Sequence, residues 1–139
     1  CYKAHNAEKD PGSLIQAGHL NPDMLRYEKH RVWEVDAVVK DGTSHLYKRR
    51  TFFFDEDSWQ ALVIDQYDNS DNIWRVSEAY PIIYYDVPAL YDTMLSHYDL
   101  QNGRYLTIGF NAEGQIEKWV ENLKDSNFSP AALSRRGKR

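Results

Sequence analysis

The chain has 139 residues, and its 42% hydrophobic and 27% charged side chains are typical of one folded domain or of a piece of a larger one. No stretch approaches the roughly 18 consecutive apolar residues of a membrane-spanning helix, and a single cysteine excludes an internal disulfide. The net charge of −4 argues against general nucleic-acid binding, and the basic tail after Ser134 is expected to be a solvated chain end.

The first region, residues 1–27, shows no lasting hydrophobic periodicity. It contains two turn signals, Asp10-Pro11-Gly12-Ser13 and His19-Leu20-Asn21-Pro22. This pattern predicts a long extended arm that packs on another part of the protein.

A second region, residues 28–111, alternates strand patterns with turn signals and predicts an antiparallel β meander. Trp33, Val35 and Ala37 occur at every second position, which is the spacing of one face of a strand. Asp41-Gly42 then predicts a hairpin onto a second strand from His45 to Phe54. We expect strand partners that are adjacent in sequence and no helix between residues 31 and 68.

Three consecutive phenylalanines end the second strand. Because strand side chains alternate, Phe52 and Phe54 are expected on one face of the sheet and Phe53 on the other. We expect one of these faces to be the concave wall of a curved sheet and the other to meet the arm or the tail.

Asp55–Ser58 is predicted to be a solvent-exposed turn without a bound ion, followed by a third strand from Trp59 to Tyr67.

The strand and turn pattern continues to the end of this region. Asp68–Asn72 predicts a turn, and Ile73–Tyr85 predicts a fourth strand in which Pro81 marks an edge, a bulge or a break. Asn102-Gly103 predicts a hairpin between strands at His97–Gln101 and Arg104–Phe110.

The last region, residues 112–139, is predicted to be a tail with one short helix. Ser129 is a suitable N-cap and Pro130 a suitable first helical residue, and Gly137 would end the helix. The predicted fold class is therefore mainly β, with a curved antiparallel sheet and a short C-terminal helix.

Catalytic, metal and cofactor sites have no support in the sequence. The five histidines lack the spacing of a zinc motif, and Asp55-Glu56-Asp57 lacks the alternating oxygen ligands and central glycine of a calcium loop. The serines lie in no G-x-S-x-G motif, and the isolated glycines form no phosphate-binding loop. We expect a protein that is not an enzyme and that holds no metal or cofactor.

Several longer motifs resemble a known family. They include His30-Arg31-Val32-Trp33-Glu34-Val35, His45-Leu46-Tyr47-Lys48-Arg49-Arg50-Thr51-Phe52, Asp55-Glu56-Asp57-Ser58-Trp59-Gln60, Tyr84-Tyr85-Asp86-Val87-Pro88 and Ser129-Pro130-Ala131-Ala132-Leu133. The chain resembles the C-terminal part of a Gram-negative family of unknown function that is described as outer-membrane lipoprotein-sorting-like. The resemblance extends over essentially all of residues 1–139, and Cys1 is interpreted as a fragment boundary rather than as a lipidated cysteine.

The resemblance implies a fold and a setting. The fold would be the incomplete β-barrel of the periplasmic lipoprotein carriers LolA and LolB, curved around an apolar cavity. The setting would be the periplasm or the inner face of the outer membrane. Expected partners are a lipid or another hydrophobic small molecule, an RND-type transporter and an outer-membrane protein, but no nucleic acid.

Two classes of function follow from this resemblance. The first is a periplasmic carrier or chaperone for a lipid or other hydrophobic molecule, associated with an envelope transport system. The second is a non-enzymatic β-scaffold that docks on an exporter or an outer-membrane protein. For a carrier, the predicted ligand-binding residues are the large aromatic residues of the strands, which are also candidates for ordinary core: Trp33, Phe52, Phe54, Trp59, Trp74 and Tyr84.

Overall fold

The structure is a computed structural model that describes residues 3–4, 11–109, 119–120 and 122–137. These residues form one antiparallel sheet in which each strand pairs with the next along the chain. The strands are Val32–Val38 (β1), Arg49–Asp55 (β2), Ala61–Tyr67 (β3), Ile73–Tyr84 (β4), Ala89–Asp99 (β5) and Arg104–Ile108 (β6). The predicted meander and the mainly β fold class are both confirmed.

The strand register divides the side chains between two faces of the sheet. Phe53 pairs with Val63, and Val63 in turn pairs with Glu78, so these three share one face, called here the arm face. Phe54 pairs with Trp33 and Phe52 with Ile64 on the opposite face, called here the open face. The predicted separation of Phe53 from its two neighbours is therefore confirmed.

Two strands begin later than the sequence predicted. The second strand begins at Arg49 rather than at His45, because the His45 ring contacts the Tyr47 backbone in a local turn. The third strand begins at Ala61 rather than at Trp59. Trp59 has a positive φ of 60° and donates its backbone N–H to the Asp55 carbonyl, so it belongs to the turn.

The fifth strand extends well beyond the prediction at its N-terminal end, from Ala89 to Asp99 rather than from His97 to Gln101. Its first half has three apolar residues, Ala89–Tyr91, followed by the polar pair Asp92 and Thr93, and so shows no alternation to mark it as a strand. The fourth strand does contain an irregularity at the predicted proline, because the register shifts between Tyr80 and Pro81. That shift is a β-bulge, as the sequence allowed.

The arm covers part of the arm face. Leu14 and Leu20 are almost fully buried against Tyr80 and Met94, and Ala4 belongs to the same apolar cluster. Within its described residues the arm contains two short 3-10 helices, Pro11–Ser13 and Pro22–Met24, and an isolated bridge between Ile15 and Leu20. The arm is therefore folded into turns at these places, where an extended segment was expected.

The predicted short helix is Pro130–Arg136. Ser129 caps it by accepting a hydrogen bond from the Ala132 backbone N–H, and Gly137 follows its last residue. Within the described ranges, no helix has the length and apolar character that crossing a bilayer would require. The proposed strand end at Phe110 lies outside the described residues.

Two glycines with positive φ allow a direct test of the close approach between β5 and the end of β6. A Cβ at Gly109 would lie 2.2 Å from the Thr93 carbonyl oxygen, whereas a Cβ at Gly42 would have no neighbour within 4 Å. We predict that Gly42→Ala costs about 1 kcal/mol, from backbone conformation alone. Gly109→Ala should cost at least twice as much in the free energy of unfolding, measured in urea. Equal costs for the two variants would contradict the close contact of Gly109 with the Thr93 backbone.

Candidate functional site

A pocket of about 370 Å³ lies on the arm face, between the sheet and the segment that leads from the arm into β1. Its size is within the usual range for small-molecule sites. The lining residues come from that segment and from the first four strands: Arg26, Tyr27, Glu28, His30, Val32, Phe53, Leu62, Val63, Glu78, Ala79, Tyr80 and Pro81.

The sheet supplies an apolar wall to this pocket. Phe53 and Val63 are directly opposite each other on neighbouring strands, and Val32 lies beside them at the start of β1. All three are only partly buried or exposed, so the aromatic ring and branched side chains present free apolar surface. Such a surface gains free energy when a hydrophobic molecule displaces water from it.

One carboxylate lies within this wall. Glu78 is on β4 next to Val63, and both of its oxygens are near the Tyr27 hydroxyl, at 3.5 and 3.4 Å. The Tyr80 hydroxyl also donates a hydrogen bond to Glu78 Oε2. Burial raises the pKa of Tyr80 well above its usual range, and the hydrogen bond to Glu78 raises it further, so Tyr80 remains a donor.

The charged residues of the preceding segment lie at the exposed mouth of the pocket. Arg26 forms an ion pair with Glu28, and the His30 Nε2 atom is 3.5 Å from the other Glu28 oxygen. The opposite ring nitrogen of His30 is 3.1 Å from Asp55 Oδ1. Each cationic or titratable basic group of the lining therefore faces a carboxylate.

The predicted solvent-exposed turn at Asp55–Ser58 is wrong for Asp55. Its side chain is buried, with 5% of the residue exposed, and it forms hydrogen bonds within the turn. Asp55 Oδ2 accepts hydrogen bonds from the Ser58 backbone N–H at 3.0 Å and from the Ser58 hydroxyl at 2.7 Å. The carboxylate is buried because these donors and His30 replace its water.

The His30 and Asp55 contacts shift both pKa values. Hydrogen bonding to Glu28 and then to Asp55 raises the pKa of His30, and the Ser58 hydroxyl and His30 lower the pKa of Asp55. Both shifts favour the charged forms, so His30 and Asp55 stabilise each other as an ion pair.

Four of the six predicted ligand-binding residues lie together on the open face. Trp33 and Trp59 stack with ring centroids 6.4 Å apart, and Phe52 and Phe54 stack at 5.9 Å. Trp33 and Trp59 are 56% and 68% exposed, so these rings cover each other without being enclosed. The register places Phe52, Phe54 and Trp33 on this face, and the stacking on Trp33 places Trp59 beside them.

Trp74 and Tyr84 lie elsewhere. The Trp74 indole N–H donates to Asp99 Oδ2 at 3.2 Å, and its ring packs edge-on against Tyr47. The Tyr84 ring contacts Trp119, which also contacts Tyr91. None of the six residues lines the described pocket, because four of them project from the opposite face and two are at other sites. Their role in ligand binding stays a prediction.

The residues that form the pocket were not singled out from the sequence. The fourth strand carried a signal that could have identified Glu78. Glu78 is an acidic residue between Val76 and Tyr80, at alternate positions that otherwise have apolar or aromatic side chains. His30 and Tyr27 carried no comparable signal, because their partners are 25 and 51 residues away.

The unclosed antiparallel sheet with its short helix defines a lipoprotein-sorting-like fold. It is similar to a domain described as an outer membrane lipoprotein-sorting protein domain from Vibrio parahaemolyticus, with a TM-score of 0.55 and 14% identity. That match covers 78% of this chain and 44% of the other. A DUF1329 family protein from Desulfovibrio piger gives a TM-score of 0.48 at 17% identity, over 73% and 40% of the two chains.

The chain belongs to the family described as protein of unknown function (DUF1329), whose model matches residues 1–134. It is 42% identical over 139 residues to an uncharacterized protein of Pseudomonas aeruginosa, PA3922. The match covers 99% of this chain and 30% of that relative, so the chain spans about a third of the relative's length. The family resemblance seen in the sequence is confirmed.

The His30–Asp55 pair predicts a pH-dependent contribution to stability. A raised pKa of His30 in the folded state means that its contribution is complete below about pH 6.5 and is lost as the pH rises through the folded value. The lowered pKa of Asp55 means that its contribution is lost in acid, below about pH 3.9. The free energies of unfolding of wild type and His30→Gln should therefore differ most between about pH 3.9 and pH 6.5.

Urea titrations at several pH values would measure this difference. The matched control is His45→Gln, because the contacts of His45 are with Tyr47 and with no carboxylate among the described residues. A His30→Gln effect that is constant from weakly acidic to alkaline pH would contradict the ion pair.

Proposed function

We propose that this chain is the ligand-holding part of a periplasmic carrier for a lipid or other hydrophobic molecule, and that it is not an enzyme. The observation that carries the proposal is the pocket of about 370 Å³ with an apolar wall on the arm face. The wall side chains, among them Phe53 and Val63, can contact a hydrophobic ligand without unfolding any strand.

The architecture supports this use of the pocket. One side of the pocket is the hydrogen-bonded sheet, and the other is the segment from Arg26 to Arg31, which contains no regular structure. Its last residue is tied to the sheet by a backbone hydrogen bond, from the Glu56 N–H to the Arg31 carbonyl at 3.3 Å. The residues before Arg31 can move aside at lower cost than a strand, because they are not part of the hydrogen-bond ladder. A ligand could therefore enter at this side.

The fold supports the setting. The solved domain from Vibrio parahaemolyticus is described as lipoprotein-sorting, and a carrier role in the bacterial envelope is the matching proposal for this chain. Association with an envelope transport system, such as an RND-type transporter with an outer-membrane protein, is part of the same proposal. Fold likeness supports function only by analogy, so the pocket provides the direct physical argument.

Filling the pocket tests the proposal. We predict that Val63→Trp weakens binding of the neutral apolar dye N-phenyl-1-naphthylamine at least tenfold, about 1.4 kcal/mol, because the indole occupies ligand space. Dye fluorescence measured against protein concentration gives the Kd.

Ile64→Trp is the matched control, because Ile64 is the next residue on β3 and lies on the open face. Its Kd should stay within about twofold of wild type, since the same residue type is added outside the pocket. Equal weakening by both variants would contradict the described site. A wild-type protein that binds no dye would overturn the carrier proposal.

The open face favours a second candidate function, a scaffold that docks on an exporter or outer-membrane protein. Trp33 and Trp59 are more than half exposed and lie beside the stacked Phe52 and Phe54. Aromatic side chains are enriched at protein interfaces, where they bury large areas with few rotatable bonds. Loss of dye binding by Ile64→Trp alone would show that apolar molecules bind this face instead of the arm face.

A further inference from the structure

The carboxylates that line or border the pocket differ in whether they form ion pairs with basic side chains. At its mouth Arg26 and His30 both contact Glu28, and His30 also contacts Asp55. Glu78 differs from these carboxylates, because among the described residues its hydrogen-bond donors are tyrosine hydroxyls and no basic side chain is within 4.0 Å. Among the described residues, the pocket therefore holds a carboxylate, Glu78, that forms no ion pair.

The position of Glu78 makes this charge available to a ligand. It is half-buried on the sheet, with Val63 on the neighbouring strand and Tyr80 two residues further along the same face. An ionised carboxylate offers roughly four acceptor positions, and the hydroxyls of Tyr27 and Tyr80 occupy only some of them. A further donor can approach from the pocket side.

A cation is the donor that this environment favours most. Apolar neighbours reduce the screening of a charge by water, so a charge-assisted hydrogen bond is stronger here than at an exposed surface. A tyrosine hydroxyl can orient the carboxylate but cannot neutralise it. A ligand ammonium group would do both, whereas a ligand carboxylate would be repelled.

We propose that the pocket selects amphiphiles with a positively charged amine, whose ammonium group is bound by Glu78 while the apolar tail packs on Phe53, Val63 and Val32. This inference rests on the carrier function proposed above and specifies its ligand class. Tyr27 and Tyr80 are positioning residues, because they hold the carboxylate oxygens that receive the ammonium group.

The test compares three ligands that have the same chain length and different head groups. Decylamine, decanol and decanoate are each used to displace N-phenyl-1-naphthylamine from the purified protein near pH 7. We expect decylamine to displace the dye at a concentration at least tenfold lower than decanol, and decanoate to be the weakest. Glu78→Gln should bring decylamine and decanol to within about twofold of each other, because the amide keeps the shape and removes the charge.

Glu56→Gln is the control, because it removes the same unit of charge at a residue that pairs with Arg31 and does not line the pocket. It should keep the preference for the amine, which separates a local effect of Glu78 from the net charge of −4. Circular dichroism and dye binding establish that each variant is folded. The wild-type ranking of the three ligands tests the inference even where a variant fails to fold.

The outcomes distinguish this inference from the carrier function on which it rests. Equal displacement by decylamine and decanol, or an amine preference that survives in Glu78→Gln, would overturn the role of Glu78 and leave the carrier proposal standing. Binding of neither the dye nor any of the three ligands would overturn the carrier proposal itself. An amine preference in wild type and Glu56→Gln that is lost in Glu78→Gln would support both.

Discussion

The packing of the arm on the sheet is the contact on which the described pocket depends. A single sheet has two faces, and its apolar side chains contribute to stability only where another layer excludes water from them. Here Leu14 and Leu20 fill that role against Tyr80 and Met94. Full burial of one such side chain is worth roughly 1.5–3 kcal/mol, so these contacts offset part of the entropy lost when the arm is ordered. The pocket lies next to this contact, because Met24 and Leu25 pack on the cluster and most of the residues that follow them, from Arg26 to His30, line the pocket.

Tyr80 connects the packed region with the pocket. Its ring belongs to the buried cluster and its hydroxyl contacts Glu78, so one side chain has both an apolar and a polar role. The bulge after Tyr80 shifts the register of β4 and β5 at this same point. A bulge bends the strand locally, and the pocket lining continues across it, from Glu78 and Tyr80 before the shift to Pro81 after it.

The two faces of the sheet differ in how their apolar residues are used. On the arm face, apolar side chains are covered by the arm or line a partly open pocket with polar groups at its mouth. On the open face the rings of Trp33, Trp59, Phe52 and Phe54 cover one another in pairs and remain partly exposed. A carrier needs the first kind of surface and a docking scaffold the second, which is why the two faces support different proposals.

Much of the local structure could be predicted because it depends on neighbouring residues. Alternation placed Phe53 opposite to Phe52 and Phe54, and Ser129 with Pro130 marked the start of the helix. Pro81 predicted an edge, a bulge or a break, and the structure has a bulge there. Each of these features follows from backbone geometry or from a hydrogen bond within a few residues. The first half of β5 was missed because its apolar and polar residues occur in groups and do not alternate.

The sequence by itself therefore determined a β meander, the opposite faces of Phe53 and its two neighbours, and the family. Only the tertiary structure decided which face the arm covers, and that choice placed the pocket beside Phe53 rather than beside Phe52 and Phe54. It also brought Tyr27 to Glu78 and His30 to Asp55, across 51 and 25 residues of sequence. Both faces have apolar residues at strand spacing, so local pattern cannot choose between them; the choice depends on long-range packing, which the order of residues along one strand does not encode.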